Sequence, residues 1–254
     1  MNDNPLFQLQ QTIYSSKNYT RRRLHQSRFA WVTDAIKNYT LSVPKSRAIE
    51  YGPGSGIYLP SLAEVFDKVV GADVEPAYLT GIEQLAIRNV AINLVVDDIQ
   101  ASKFEDGTFD LVLCSEVLEH VLNPEIALKT IARILRPGGI AIITTPQKYS
   151  LMELSCKVAF LPGIIQLVRR IYREPILETG HISLRSYSDF TAAISACGLK
   201  IVEHKKLGLY LPLIAEFGGE AGGRMIERLE DRLKNSPLSW MLWTQAYVLH
   251  KSEE

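Results

Sequence analysis

The feature that most constrains the fold is an alternation of short strand-like runs and helix-like segments between Ala48 and Pro146. The strand-like runs are AIEY, DKVVGAD, AINLVVD, FDLVLCS and GIAIITT. Helices are predicted between them at 57–66, 76–88 and 123–135, and Pro137-Gly138-Gly139 ends the last one. Because parallel strands need long crossover connections, this pattern predicts a doubly wound, Rossmann-like α/β sheet with helices on both faces.

The segments that flank this pattern predict additions to the sheet. Residues 5 to about 40 have apolar side chains at helical spacing, so we predict an N-terminal helical cap over 1–45 and a main domain over 46–254. Within that domain we predict a helical lid insert at about 148–180, a helix over 186–198 and two closing strands, LKIVEHK and MLWTQAYVLHK. The segment after Phe217 predicts an amphipathic helix that packs on the core or, as the alternative, on a partner subunit, and we favour the core.

The composition argues against several classes of partner. The chain has 254 residues, with 28 Lys and Arg balanced by 28 Asp and Glu, so it has no overall basic field and a nucleic-acid partner is disfavoured. Its three widely spaced cysteines favour reduced thiols. The sequence also has no signal-peptide pattern and no apolar run long enough to span a bilayer, so we expect a cytoplasmic location.

The stretch EYGPGSG predicts a close approach of backbone to a ligand. Gly52, Gly54 and Gly56 follow the first strand, at the edge of a parallel sheet where ligands bind. Ile57 replaces the last glycine of a dinucleotide fingerprint, which weakens a dinucleotide interpretation. Asp73 and Asp98 end the next two strands and could accept hydrogen bonds from ribose hydroxyls and an exocyclic amine, which suits an adenosine.

Together, EYGPGSG, GADVE, DDIQASKFEDGTFDLVLCSEVLEHV, LRPGG and ITTP resemble the class I S-adenosylmethionine-dependent methyltransferases. The resemblance implies a seven-stranded sheet with an antiparallel last strand. It also implies cofactor-binding residues at the carboxyl ends of the strands: Gly52, Gly54 and Gly56 at the methionine moiety, Asp73 at the ribose, Asp98 with the Ile99 backbone at the adenine, and Ser115 or Glu116 at the floor. Glu50 and Val74 belong to the same predicted set of cofactor-binding residues. A sulfonium nucleoside has no pyrophosphate, which explains the absent glycine.

The segment SEVLEHV adds Glu116, Glu119 and His120, and a later loop adds His181. This pattern resembles the metal site of small-RNA 3′-terminal 2′-O-methyltransferases, and a related acidic segment occurs in ubiquinone-pathway O-methyltransferases. Two carboxylates and two imidazoles could hold Mg²⁺, Mn²⁺ or Zn²⁺. The alternatives are a packing role for Glu119 and His120, and general-base catalysis by His181 without a metal. The candidate catalytic residues are therefore His181, His120 and Glu116.

The identity of the acceptor depends on residues 148–173, which are apolar and basic. Such a segment could cover a lipid-like acceptor, make peripheral contact with a membrane, or pack as a lid. Arg21, Arg22, Arg23 and Arg28 could reach an anionic group or form a solvated face. We predict methyl transfer to a small-molecule or lipid-like acceptor at oxygen. Metal-dependent RNA 2′-O-methylation and a non-catalytic S-adenosylmethionine-binding module are the alternatives, and the oligomeric state is left open.

Overall fold

The computed structural model describes residues 14–84, 92–166, 170 and 181–253. Seven strands form one sheet in the order β3-β2-β1-β4-β5-β7-β6. Their bounds are β1 Arg47–Tyr51, β2 Lys68–Asp73, β3 Ile92–Val96, β4 Phe109–Ser115, β5 Leu135–Pro146, β6 Leu199–Leu207 and β7 Thr244–Lys251. Strands β1 to β5 pair in parallel, whereas β7 is antiparallel to β5 and β6. The predicted fold, including its antiparallel last strand, is confirmed.

The helices follow the predicted order along the chain. Their bounds are α1 Tyr19–Tyr39, α2 Leu59–Ala63, α3 Pro76–Gln84, α4 Pro124–Ile134, α5 Leu151–Ala159, α6 Tyr187–Ala196, α7 Pro212–Phe217 and α8 Gly219–Leu233. Helix α2 is shorter than predicted. The predictions for residues 1–13, the end of the 76–88 helix and most of the lid insert after 166 lie outside the described residues. Among the helices that are described, none has the length and apolar character needed to span a membrane.

The sheet is buried on both faces because successive strand residues alternate between two apolar layers. Ile49, Val70 and Val112 pack in one layer with α4 and α6. The residues one position earlier, including Ala48 and Val69, pack in the other layer with α1 and α2. Because the middle of each strand is apolar, the polar side chains of the candidate site lie at the strand ends.

The insertion between β6 and β7 holds helix α1 in place. Leu24 of α1 packs in one apolar cluster with residues of this insertion, including Ile226 of α8 and Trp243, which immediately precedes β7. Glu216 of α7 binds Arg21 through two short contacts of 3.0 and 2.9 Å. Helix α1 thus packs on the insertion through Leu24 and on the sheet through Val32 and Ile36, and its Arg28 lies at the carboxyl ends of β1 and β4.

Candidate active site

An open cleft lies between α1 and the loop that follows β1. Residues from α1, the glycine loop and the end of β4 surround it: Tyr14, Arg28, Glu50, Gly52, Pro53, Gly54, Ser55, Ile57, Tyr58, Ser115 and Glu116. It opens at the carboxyl ends of β1 and β4, the position at which parallel sheets bind ligands.

The glycine loop has a backbone that other residues rarely adopt. Gly52, Gly54 and Gly56 have φ values of 64°, 55° and 75°. A Cβ on Gly52 would lie 2.4 Å from Cγ2 of Val117, and the Gly52 amide donates to the Ala72 carbonyl at 2.8 Å. The sequence therefore requires glycine here both for the left-handed backbone and for the close packing.

Glu50 is a buried carboxyl group at the floor of the cleft. Only 1% of the residue is exposed, and its Oε2 has no hydrogen-bond partner among the described residues. Burial raises the pKa of Glu50 to about 8. An uncompensated buried carboxyl group is costly, so it indicates a site for a cationic or hydrogen-bonding ligand group.

Arg28 closes the cleft from the side of α1. Its guanidinium is buried and lies 2.8 Å from Glu116 Oε2, and its Nη2 lies 3.2 Å from Nδ1 of His25. Glu116 has a φ of 59°, which is uncommon for a residue other than glycine, and it accepts a hydrogen bond from Thr144 at 3.0 Å. Burial and the Arg28 charge lower the pKa of His25 to about 3, so this ring is neutral.

The four arginines of α1 therefore differ in their environments. Arg28 contributes to the cleft, whereas Arg21 pairs with Glu216 and Arg23 pairs with Glu227 on the neighbouring helices. The helical spacing of these residues did not distinguish the buried arginine from the others.

The acids predicted for an adenosine lie at the ends of β2 and β3, outside the residues that line the cleft. Asp73 Oδ1 accepts from the Glu75 amide at 2.8 Å, and Val74 is 67% exposed. Asp97 is buried and accepts from the Tyr51 hydroxyl at 2.9 Å, which leaves Asp98 as the partly exposed member of the pair. The Ile99 side chain is in the core.

Glu119, His120 and His181 form a second cluster beside the cleft, with one possible ligand atom from each within 4.8 Å of the others. The structure brings His181 to Glu119 by a backbone contact, because the amides of Ile182 and Ser183 both donate to the Glu119 carbonyl, at 2.9 and 3.0 Å. Three of the four predicted metal ligands therefore come together.

Glu116, the fourth predicted ligand, lies outside this cluster. Its left-handed backbone directs the carboxylate toward Arg28 and Thr144, and the ion pair with Arg28 fixes it in the cleft. The prediction that Glu116 joins the metal ligands is corrected on this point.

Glu119 is almost completely buried. Its Oε2 accepts from the Thr145 hydroxyl at 3.1 Å, and its Oε1 has no hydrogen-bond partner in the described part of the chain. Burial, and then the charge of Glu116, raise the pKa of Glu119 well above its usual value. An unpartnered carboxylate oxygen beside two imidazoles is a donor set that suits a divalent metal such as Zn²⁺ or Mn²⁺.

The structure adds Glu153, which the sequence analysis missed. Glu153 lies on α5, is buried, and places Oε1 3.2 Å from Nδ1 of His181 and 3.1 Å from Nε1 of Trp243. The sequence signal at this position, a serine followed three residues later by glutamate, is typical of a helix cap and gives no sign of this contact.

The comparisons with known proteins bear on the fold and on the class of domain. Residues 49–143 match the sequence model of a family described as a methyltransferase domain. Together with the sheet order and the glycine loop, this match supports a class I S-adenosylmethionine-dependent methyltransferase domain over these residues. S-Adenosylmethionine is the methyl donor that gives this class its name.

Among curated proteins, the relatives of this chain include two ubiquinone biosynthesis O-methyltransferases. The protein from Aeromonas salmonicida is 32% identical over 144 residues, which are 53% of this chain and 58% of the relative. The protein from Albidiferax ferrireducens is 29% identical over 130 residues, which are 49% of this chain and 50% of the relative. The chain thus spans about half the length of the curated relatives it matches.

Among solved structures, a putative sarcosine dimethylglycine methyltransferase from Galdieria sulphuraria has a TM-score of 0.60 at 14% identity. The alignment covers 92% of this chain and 88% of that protein. At this identity the likeness supports the fold.

Proposed function

We propose that this protein transfers the methyl group of S-adenosylmethionine to an oxygen of a small-molecule or lipid-like acceptor. The observation that carries the proposal is the junction of two sites at one sheet edge. Glu116 in the cleft accepts a hydrogen bond from the Thr144 hydroxyl, and Glu119 in the Glu/His cluster accepts one from the hydroxyl of the next residue, Thr145. A donor site and a proton-accepting or metal-binding site are thus one residue apart along β5.

The cleft has the charges that the methionine part of the donor requires. Glu50 is suited to the ammonium group and Arg28 to the carboxylate, while the glycine loop allows close approach. We assign Asp73 and Val74 to the ribose, Asp98 and the Ile99 backbone to the adenine, and Ser115 to the floor. Glu116 has a positioning role toward Arg28. The bound donor supplies an activated methyl group, so the protein mainly has to orient the acceptor and remove its proton.

The Glu/His cluster is suited to the removal of that proton. Glu119, His120 and His181 would hold a divalent metal, which would lower the pKa of a coordinated hydroxyl group. Without a metal, His181 is the candidate general base and His120 lies beside it, with 5.2 Å between the ring centroids.

Apolar side chains around this cluster favour an apolar acceptor. Leu122 is 77% exposed and lies two residues after His120, and Ile182 is 59% exposed and follows His181. An exposed apolar stripe on and after α5 lies beside Lys157 and consists of Leu154, Val158 and Leu161. This stripe supports a lipid-like acceptor and peripheral contact with a membrane that holds it. The names of the curated relatives also support transfer to oxygen.

The proposal is tested with purified protein, methyl-labelled S-adenosylmethionine and a cell extract that is separated into lipid, small-molecule, RNA and protein fractions. We expect label in the lipid or small-molecule fraction and loss of that label with EDTA. EDTA-resistant label would support His181 as a base without a metal. Label confined to RNA would establish RNA methylation instead, and donor binding with no label in any fraction would support a non-catalytic module.

A further inference from the structure

Glu153 lacks the role that its sequence position predicts. It is the third residue of α5, after Ser150, whose Oγ accepts from the Glu153 amide at 3.3 Å. In a complete capping box the glutamate side chain would reach back to the amide of the capping serine. Here the Ser150 amide donates to the Gln147 carbonyl at 3.0 Å instead, which leaves the Glu153 carboxylate available for other contacts.

Helix α6 begins with the same spacing of serine and acid, but there the acid stays with the capping serine, through its hydroxyl group. Ser186 caps α6, and its hydroxyl donates to Asp189 Oδ2 at 2.7 Å on the protein surface. Asp189 is exposed, whereas Glu153 is only 4% exposed. The burial of Glu153 therefore does not follow from helix capping.

The buried carboxylate joins three parts of the chain. One oxygen, Oε1, accepts from Trp243 Nε1 and lies 3.2 Å from Nδ1 of His181. Nδ1 of His181 makes no hydrogen bond with any described residue, and donation to Glu153 Oε1 at 3.2 Å would satisfy it. Trp243 packs in the cluster formed by α1 and the insertion between β6 and β7, so the oxygen has a fixed position.

We infer that Glu153 is a positioning residue that holds His181 in the Nδ1–H tautomer and leaves the Nε2 lone pair for a metal or an acceptor proton. A neutral histidine carries one ring proton, and the hydrogen bond made by one nitrogen decides which nitrogen remains basic. Histidines that bind metals commonly donate their other nitrogen to a carboxylate in this way. The catalytic consequence rests on the proposed function, whereas the tautomer does not.

The test is long-range ¹H–¹⁵N spectroscopy of protein labelled at its five histidines, at pH 8, with His181 assigned from a His181→Asn sample. The wild-type protein and the Glu153→Gln variant, which keeps an oxygen acceptor, should show His181 as Nδ1–H. Glu153→Met removes the acceptor at similar volume and should shift the population to Nε2–H. Asp189→Asn, at the matching position of α6, should leave the spectrum unchanged.

Two results would overturn the inference: an Nε2–H ring in the wild type, or the wild-type pattern retained in a folded Glu153→Met protein. Equilibrium dialysis with Zn²⁺ alone separates this inference from the proposed function. A 10-fold to 100-fold loss of Zn²⁺ affinity in Glu153→Met would support positioning for a metal. If neither the wild type nor any variant binds Zn²⁺ but the tautomers are as expected, the metal is excluded from the proposed function and the positioning of His181 by Glu153 still holds.

Discussion

Binding of S-adenosylhomocysteine should release a proton from Glu50. Burial raises the pKa of this carboxyl group to about 8, so about 90% of it is protonated at pH 7 in the free protein. The ammonium group of the ligand would favour the carboxylate and lower that pKa. If the pKa in the complex falls below about 5, each binding event at pH 7 releases about 0.9 proton, and at pH 9 about 0.1.

Isothermal titration calorimetry in buffers of different ionisation enthalpy measures the number of protons released per molecule of S-adenosylhomocysteine bound. Glu50→Gln should abolish the release and weaken binding about 10-fold to 100-fold, because a charge-assisted hydrogen bond is lost. Glu75→Gln, an exposed carboxylate near the same sheet edge, is the matched control and should leave both quantities unchanged. Release below about 0.2 proton by the wild type at pH 7, or equal release by Glu50→Gln, would refute the reasoning.

The same pKa predicts the pH dependence of stability in the free protein. The folded-state value of about 8 exceeds the ordinary value of 4.5, so the folded state binds more protons than the unfolded state between these limits. The contribution of Glu50 to wild-type stability should therefore fall as pH rises from 4.5 to 8. Above pH 8 the free energy of unfolding of Glu50→Gln, measured with urea, should exceed that of the wild type by up to about 5 kcal/mol. A difference between the two proteins that stays constant from pH 4.5 to 8 would contradict the raised pKa of Glu50.

Three further changes test the proposed donor site and the packing around it. Asp73→Ala should weaken S-adenosylhomocysteine binding at least 10-fold, about 1.4 kcal/mol, by calorimetry, and unchanged affinity would exclude the ribose assignment. Gly52→Ala should lower the free energy of unfolding, measured with urea, by more than about 2 kcal/mol, because it adds a clash with Val117 to the cost of a left-handed backbone. The control Gly198→Ala has φ 74° and no atom within 4 Å of the added Cβ, so it should lower this free energy by only about 1 kcal/mol. Arg28→Met should cost about 3–5 kcal/mol because it leaves a partly buried carboxylate unpaired; adding Glu116→Gln should restore part of the loss, and strict additivity would argue against the ion pair.

The sequence was sufficient for the parts of the fold that depend on local patterns. The strand order along the chain follows from apolar runs and turn signals, and the glycine loop follows from three glycines after a strand. The antiparallel last strand came from the family resemblance and not from periodicity, because strand direction depends on the whole topology.

The residues that the sequence did not predict are those placed by long-range packing. Arg28 enters the cleft because α1 is held between the sheet and the insertion that contains Trp243, and its local charge pattern does not reveal this. Glu153 meets Trp243 across 90 residues of sequence, behind a local pattern that predicts a helix cap. Glu116 was grouped with Glu119 and His120 by spacing, but its left-handed φ separates it from them.

The most direct test of the central claim is to measure methyl transfer and S-adenosylhomocysteine affinity on the same His181→Asn protein. His181 belongs to the acceptor half of the proposed site, so we expect affinity within about twofold of the wild type and transfer reduced at least about 100-fold, which is within the usual contribution of a general base. Transfer at the wild-type rate would contradict the assignment of the Glu/His cluster to the reaction, and a parallel loss of affinity would contradict the division into donor and acceptor halves.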